Sequence, residues 1–158
     1  MAMHIEKSGI DLAAIYRPLN NIFLNPIMER IRKKYICKKQ IKKGISGTKQ
    51  LLKNFKEKTS IALMIDQRVS EGIKSNLFNK EASTTSIPAQ FIKKFSVKVV
   101  PIYIERFKKD NFKIKIYNPI AFKKDETIDS ITLHLNKVLE KMIIKNPEQW
   151  IWMHNRWK

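Results

Sequence analysis

The amino-acid sequence predicts an α/β fold with a mostly parallel or mixed sheet flanked by helices. Short apolar segments alternate with amphipathic helical segments, Gly and Pro residues separate them, and polar residues follow directly after two of the apolar segments. Strands that alternate with helices at this rhythm favour parallel pairing, because each helix carries the chain back to the start of the next strand. No internal repeat or low-complexity linker interrupts the 158 residues, so we expect one domain.

Apolar patterning predicts six elements in the first part of the chain. They are helices over residues 1–7, 27–34 and 46–58, and strands over residues 10–16, 35–37 and 60–65. Gly9 ends the first helix and Pro18 ends the first strand, since proline supplies no backbone donor to a sheet. Asn25 and Pro26 are typical of a helix start, and Ile27 then begins an amphipathic helix with its charges on the opposite face.

Four further elements are predicted after a polar connection over residues 69–82. They are helices over residues 86–95 and 128–144, and strands over residues 97–105 and 112–117. The last helix is the longest, because apolar residues such as Ile131, Leu135 and Leu139 recur at helical spacing until Pro147 ends the pattern.

The chain is strongly basic, with a formal net charge of +18. The excess is uneven, since residues 30–58 contain twelve basic residues and one acidic residue. Such a stretch attracts phosphate-bearing or acidic surfaces, which include nucleic acid, anionic lipid head groups and acidic proteins. Composition alone does not choose among these three kinds of partner.

Composition also argues against several classes of protein and site. The single cysteine, Cys37, permits no internal disulfide and no cysteine-based metal cluster, and we expect it to be a small buried residue. His4, His134 and His154 lie at no metal-ligand spacing with neighbouring carboxylates, so no metal is predicted. No window approaches the roughly 18 apolar residues of a membrane span, and the N-terminus lacks a signal-peptide pattern. We therefore expect a chain that is cytosolic or peripheral to a membrane.

Charged and polar residues follow two of the predicted strands. Arg17 comes directly after the first strand, and Asp66, Gln67 and Arg68 follow the last strand of the first part. In open α/β sheets ligands gather beyond the carboxyl ends of strands, so these four residues are candidates for substrate binding. Arg17 is either a surface charge or a guanidinium that binds phosphate. Asp66 is either a loop carboxylate or a group that orients a substrate hydroxyl.

All three tryptophans lie within the last twelve residues, at positions 150, 152 and 157, interleaved with His154 and Arg156. A chain end of this composition either buries its indoles against protein or rests them at a membrane–water boundary. At such a boundary the apolar ring and the polar N–H both find partners. His154 is either packed within the tryptophan cluster or functional, and both His154 and Arg156 are candidates for substrate binding.

Four segments, in this order along the chain, resemble the late acyltransferases of lipid A biosynthesis, the lauroyl/myristoyl transferase family. They are AIYRPLNN over residues 14–21, IALMIDQ over 61–67, VVPIY over 99–103 and PEQWIWMHNRWK over 147–158. The terminal segment is quite specific, whereas each of the others is short. The ordered set covers nearly all of this chain, which is similar to the C-terminal half or so of the family's domain.

The resemblance implies a glycerolipid-acyltransferase-like fold, with residues 1–158 as a single, incomplete domain. It implies transfer of a fatty acyl chain to a hydroxyl of a lipid A precursor glycolipid. The donor is acyl carrier protein or acyl-CoA, with no other cofactor. The reaction takes place at the cytoplasmic face of the bacterial inner membrane, whose anionic surface is a further expected partner. The resemblance places Arg17, Asp66 and Gln67 on the substrate side.

The family's catalytic motif, a histidine followed five positions later by Asp or Glu, is absent from this sequence. That histidine acts as general base on the acceptor hydroxyl, and the carboxylate orients its imidazole. Gly9 lies five positions after His4, Leu139 lies five after His134, and His154 is too close to the end. Three hypotheses follow: the chain is a fragment, it pairs with a separate N-terminal half, or it is a non-catalytic remnant. We expect it to be inactive alone.

A basic nucleic-acid-binding module is the alternative hypothesis. Lysines neutralise nucleic-acid phosphates, but no fold signature of that class is present. Aromatic residues lie in apolar stripes and at the C-terminus, rather than through the basic stretch as stacking platforms would. We therefore predict no specific nucleic-acid partner.

Overall fold

The described part of this computed structural model is residues 1–70, 72–153 and 155–157, without the side chains of Ile45 and Ser46. Its contacts divide the chain into two units, Met1–Leu63 and Met64–Lys158. Both units combine helices with strands, so the predicted α/β class is confirmed. No described helix has both the length and the apolar composition that crossing a bilayer requires.

Three parallel strands form the sheet of the first unit. Its elements in chain order are α1 (Ala2–Lys7), β1 (Leu12–Tyr16), α2 (Asn25–Tyr35), β2 (Lys39–Lys42), α3 (Ile45–Lys56) and β3 (Ser60–Ala62). The strand order is β2-β1-β3, with β1 parallel to both neighbours and a helix in each connection. The carboxyl ends of β1 and β2 therefore meet at one edge, where Tyr16 is the register partner of Lys42.

Helix α3 packs closely on the end of β2. Leu51 of α3 and Ile41 of β2 are both buried in the core of the first unit. Gly47 of α3 is also buried, and a Cβ at this position would overlap the carbonyl oxygen of Lys42. The absence of a side chain at Gly47 thus allows α3 to approach the end of β2.

The second unit contains two antiparallel hairpins and the longest helix. Its elements are β4 (Ile73–Leu77), β5 (Lys80–Thr84), α4 (Ile87–Phe95), β6 (Ile102–Lys108), β7 (Asn111–Ile116), α5 (Ile128–Ile143) and a short 3-10 helix (Pro147–Gln149). Strand β4 pairs with β5, and β6 pairs with β7. Leu139 and Ile143 of α5 form one core cluster with Leu77, while Ile131 and Leu135 pack with α4 in another.

All five predicted helices are found, with ends shifted by at most two residues, whereas the strands differ more. The strand predicted over 97–105 occurs later in the chain as β6, Ile102–Lys108. Residues 69–82 contain most of the β4–β5 hairpin, whose turn places Phe78 and Asn79 at φ of 52° and 58°. Phenylalanine is unusual in such a left-handed turn, so the sequence lacked the usual hairpin signal. The strand predicted over 35–37 occurs instead at β2, with Cys37 buried just before it, and β3 is shorter than predicted.

We expect Gly47→Ala to lower the free energy of unfolding by about 1–3 kcal/mol, because its methyl group would overlap the Lys42 carbonyl and force α3 away from β2. Urea denaturation followed by circular dichroism measures the change. Lys56→Ala, at the exposed end of the same helix, is the control. An unchanged unfolding midpoint for Gly47→Ala would contradict the close approach.

Candidate functional site

An open cleft of about 520 Å³ lies in the first unit at the carboxyl ends of β1 and β2. We call it the basic cleft, and it is lined by Tyr16, Glu29, Lys33, Gln40, Lys42, Lys49, Gln50 and Lys53. Each lining residue is polar or charged, and half of them are lysines. The cleft occupies the position at which open α/β sheets bind ligands.

Glu29 is held by three neighbours inside the basic cleft. Its carboxylate accepts hydrogen bonds from the Tyr16 hydroxyl at 2.8 Å and the Asn25 amide at 2.7 Å, and Lys42 lies 3.0 Å away. The Lys42 ammonium, followed by these two hydrogen bonds, lowers the pKa of Glu29 to about 2. Burial and the bond to Glu29 raise the pKa of Tyr16 to about 12. Glu29 is therefore ionised and Tyr16 neutral at physiological pH.

The remaining cations of the basic cleft lack acidic partners. Within the described residues, Lys33, Lys49 and Lys53 form no ion pair with a carboxylate. Lys49 and Lys53 are four residues apart on α3 and so project from the same side of the helix. Three uncompensated ammonium groups around one cleft attract an anion such as phosphate.

The ionisable groups of the cleft suit binding better than proton transfer. A general base works best when its pKa lies near the operating pH. The pKa of Glu29, about 2, is far below that range, and the pKa of Tyr16, about 12, is far above it. Among the described residues, no cluster of His, Cys, Asp or Glu side chains is placed to hold a metal ion.

Arg17 occupies the strand-end position that the sequence predicted. It follows β1 directly and is exposed, next in the chain to Tyr16 of the cleft. Among the described residues it has no hydrogen-bond or ion-pair partner, and it is not part of the cleft lining. The guanidinium of Arg17 is therefore available to solvent rather than engaged in structure.

Asp66, Gln67 and Arg68 lie in a bend that belongs to the second unit. Because β3 ends at Ala62, residues 63–65, which have no regular secondary structure, separate these residues from the strand. Asp66 is half-buried, whereas Gln67 and Arg68 are exposed. The shortened strand leaves the position of this bend to be set by contacts within the second unit.

Arg156 is the largest fully buried side chain of the described residues. Its Nη2 donates a 2.7 Å hydrogen bond to Thr84 Oγ1, which also accepts from Asn136 Nδ2 at 3.1 Å. Burial lowers the pKa of Arg156, and the nearby charge of Asp66 opposes this effect. Within the described residues, Nε and Nη1 of Arg156 have no hydrogen-bond partner. Two sequence candidates, Asp66 and Arg156, are thus neighbours in the second unit.

The tryptophan-rich end is docked against the second unit. Trp157 Nε1 donates to the Leu77 carbonyl oxygen at 3.1 Å, and Trp152 Nε1 donates to the Pro147 carbonyl oxygen at 2.8 Å. Trp150 packs edge-on against Trp152, with ring centroids 4.6 Å apart. Trp150 and Trp157 contact the Leu77 core cluster, so the protein covers part of the indole surface. The remaining candidate in this segment, His154, lies outside the described residues.

Sequence reasoning placed the charge excess in residues 30–58 but did not identify the individual lysines of the cleft. The available signals were the four-residue spacing of Lys49 and Lys53 and the position of Lys42 directly after the apolar residue Ile41. These signals become specific only when β2 is placed correctly, because an error in strand position moves Lys42 away from the sheet edge.

We expect Glu29→Gln to reduce the acid sensitivity of the fold. Because the folded pKa of Glu29 is below its ordinary 4.5, its stabilising contribution is present above about pH 4.5 and is lost as pH falls toward about 2. The unfolding free energy, measured in urea, should therefore fall less between neutral pH and pH near 3 in the variant than in wild type. Glu57→Gln, at the exposed end of α3, is the control. Equal acid sensitivity in wild type and Glu29→Gln would contradict the network.

We expect Arg156→Met to keep the unfolding free energy within about 1 kcal/mol of wild type or to raise it, because methionine removes a desolvated and incompletely paired charge. Chemical denaturation measures this difference, with Arg68→Met as an exposed control. A loss above about 3 kcal/mol would instead show that the guanidinium is strongly held by its neighbours.

Comparison with known proteins supplies the family. No curated protein matches the chain. A family model described as bacterial lipid A biosynthesis acyltransferase matches residues 1–158, which is the full sequence. The match includes the basic cleft, the bend at Asp66 and the docked tryptophan-rich end, and it confirms the resemblance drawn from four short segments. The chain belongs to the bacterial lipid A biosynthesis acyltransferase family.

Proposed function

We propose that this chain binds the phosphorylated head of a lipid A precursor in the basic cleft. The reaction that it serves is transfer of a fatty acyl chain from acyl carrier protein or acyl-CoA to a hydroxyl of that glycolipid. The observation that carries this proposal is a group of three lysines in the cleft, Lys33, Lys49 and Lys53, that have no acidic partner within the part of the chain that the structure describes. Family membership supplies the substrate class.

The composition of the basic cleft favours a head group over a fatty chain. Its lining side chains are ammonium, amide, carboxylate and phenol groups, with no aliphatic residue among them. Ammonium groups bind phosphate, and the amides of Gln40 and Gln50 are suited to hydrogen bonds with sugar hydroxyls. The acyl chains of the precursor therefore lie outside the cleft in this proposal.

The other candidate residues have roles in the same proposal. Arg17 is exposed beside Tyr16 and binds phosphate or the reacting region. In this proposal Asp66, Gln67, Arg68 and His154 contact substrate, whereas Arg156, whose side chain is fully buried, acts only through its charge near Asp66. The two units together form one acyltransferase-like domain, which acts as a peripheral protein at the cytoplasmic face of the inner membrane.

Catalysis requires a general base that this sequence does not supply. None of its three histidines is followed five positions later by Asp or Glu. The displaced pKa values of Glu29 and Tyr16 make them poor replacements at neutral pH. In this proposal the chain contributes substrate binding and transfers no acyl group alone.

Calorimetric titration with a water-soluble phosphorylated glucosamine disaccharide tests the binding role of the cleft. We expect Lys49→Gln/Lys53→Gln to weaken binding by at least about tenfold, since hydrogen bonds to charged groups contribute about 1.5–3 kcal/mol each. The control is Lys80→Gln/Lys98→Gln, which removes the same charge from exposed positions of the second unit. Equal loss of affinity in both double variants would show that net charge, rather than the position of Lys49 and Lys53 in the cleft, determines binding, and would contradict the proposal.

Two comparisons complete this experiment. The dephosphorylated disaccharide should bind weakly to wild type and to both variants, because it lacks the groups that the lysines recognise. A DNA oligonucleotide that binds more tightly than the phosphorylated sugar at the same salt would favour the alternative of a nucleic-acid-binding module. Acyl transfer by the purified chain would contradict its proposed inactivity and reveal a base elsewhere in the sequence.

A further inference from the structure

Helix α2 presents a polar face to the sheet. Glu29 accepts a hydrogen bond from Tyr16 of β1, and the guanidinium carbon of Arg32 lies 4.8 Å from the centre of the Tyr16 ring. Glu29 also pairs with Lys42 at the end of β2. An amphipathic helix of a globular protein usually packs through its apolar face. In α2 the charged residues Glu29 and Arg32 contact the sheet.

The apolar side chains of α2 and of the segment before it are exposed. The exposed fractions are 82% for Phe23, 56% for Ile27, 42% for Ile31 and 55% for Tyr35. Ile27, Ile31 and Tyr35 are spaced four apart and form one stripe along α2, and Phe23 lies in the turn just before the helix. No residue of α2 is buried. The helix is thus held to its unit by polar contacts, while its apolar stripe faces away.

Basic residues border this apolar stripe. Arg30 and Lys34 are exposed, and helical spacing places them beside Ile27 and Ile31. Glu29 is the only acidic residue of α2, and its charge is engaged with Lys42 on the side toward the sheet. The outward side of α2 therefore combines aliphatic and aromatic groups with uncompensated positive charge.

We propose that α2, with the apolar residues just before it, lies in the plane of an anionic lipid bilayer as the membrane-docking surface of this chain. Helices of this pattern insert their apolar side at the boundary between head groups and acyl chains, while cationic side chains contact lipid phosphates. The charge of the stripe's borders matches an anionic bilayer, and the exposed aromatic ring of Phe23 suits the interface.

This docking places the basic cleft beside the lipid surface. Lys33 belongs to α2 and also lines the cleft, so the helix that contacts lipid forms one wall of the proposed head-group site. A phosphorylated glycolipid can then enter the cleft by its head while its acyl chains stay in the bilayer. This consequence rests on the proposed function, whereas membrane docking by α2 does not.

Vesicle co-sedimentation tests the docking surface. Vesicles of phosphatidylcholine with phosphatidylglycerol are compared with vesicles of phosphatidylcholine alone, and wild type should bind the anionic ones in a salt-sensitive manner. We expect Arg30→Gln/Lys34→Gln to weaken this binding roughly thirtyfold, from about 1 kcal/mol per basic residue near a membrane surface. Lys80→Gln/Lys98→Gln removes equal charge elsewhere and should change binding far less.

The apolar contribution is tested by a second pair of variants. Ile27→Ser/Ile31→Ser should lose at least about tenfold in vesicle affinity, whereas Phe107→Ser/Phe112→Ser, at exposed positions of the β6–β7 hairpin, should bind like wild type. Circular dichroism checks that each variant is folded. Equal binding by wild type and the α2 variants would overturn the proposal, as would equal loss in the hairpin variant.

Two further measurements complete the test. The first distinguishes a lipid bilayer from a second copy of the chain as the occupant of the stripe. The second distinguishes failure of this inference from failure of the proposed function. Light scattering that shows a wild-type dimer and an Ile27→Ser/Ile31→Ser monomer would assign the stripe to a second copy of the chain. If the α2 variants lose vesicle binding but still bind the soluble disaccharide, the result supports docking by α2. Intact vesicle binding without any disaccharide binding would overturn the proposed function and leave the docking surface standing.

Discussion

Parallel pairing between β1 and β2 is the constraint on which the candidate site depends. The register places Tyr16 opposite Lys42, so that a phenol and an ammonium group both reach Glu29 of the following helix. Gly47 then allows α3 to approach the same strand end. The lysines of α3 thereby border the cleft. A shift of β2 by one residue would turn Lys42 to the other face of the sheet and dissolve this arrangement.

Positively charged side chains are exposed in the cleft of the first unit, whereas one is buried in the second unit. In the first unit the lysines of the basic cleft stay exposed to solvent, where hydration offsets their mutual repulsion and an anion can reach them. In the second unit the charge of Arg156 is removed from water and only partly satisfied by Thr84. Burying such a group is costly, and the packing of Trp150 and Trp157 on the Leu77 cluster offsets that cost.

The two binding features proposed for this molecule do not depend on a catalytic group. The proposed head-group site and the proposed lipid contact share one helix, because Lys33 of α2 lines the basic cleft while Arg30 and Lys34 border the exposed apolar stripe. Neither feature requires a group that titrates near neutral pH. The family chemistry does require one, and none of the histidine positions in this sequence meets the spacing of the family's catalytic pair.

The sequence by itself determined those features that depend on local periodicity and on composition. The repeat of Ile131, Leu135 and Leu139 predicted α5. Pro26 lies in the first turn of α2 and Pro147 follows α5, as the sequence predicted. The excess of basic residues in 30–58 predicted a stretch that attracts phosphate-bearing or acidic surfaces, and the terminal segment pointed to the family. Such features are predictable because helix formation and net charge involve residues close together in the chain.

Tertiary structure decided the rest, since it depends on contacts between distant residues. The β4–β5 hairpin forms although Phe78 is a poor turn residue, because Leu77 and Ala82 are buried in the α5 core cluster. The apolar side of α2 is exposed rather than buried, and Glu29 and Arg32 on the opposite side of the helix contact Tyr16 of the sheet. A helical pattern specifies two faces, but only the surrounding strands select which face turns inward.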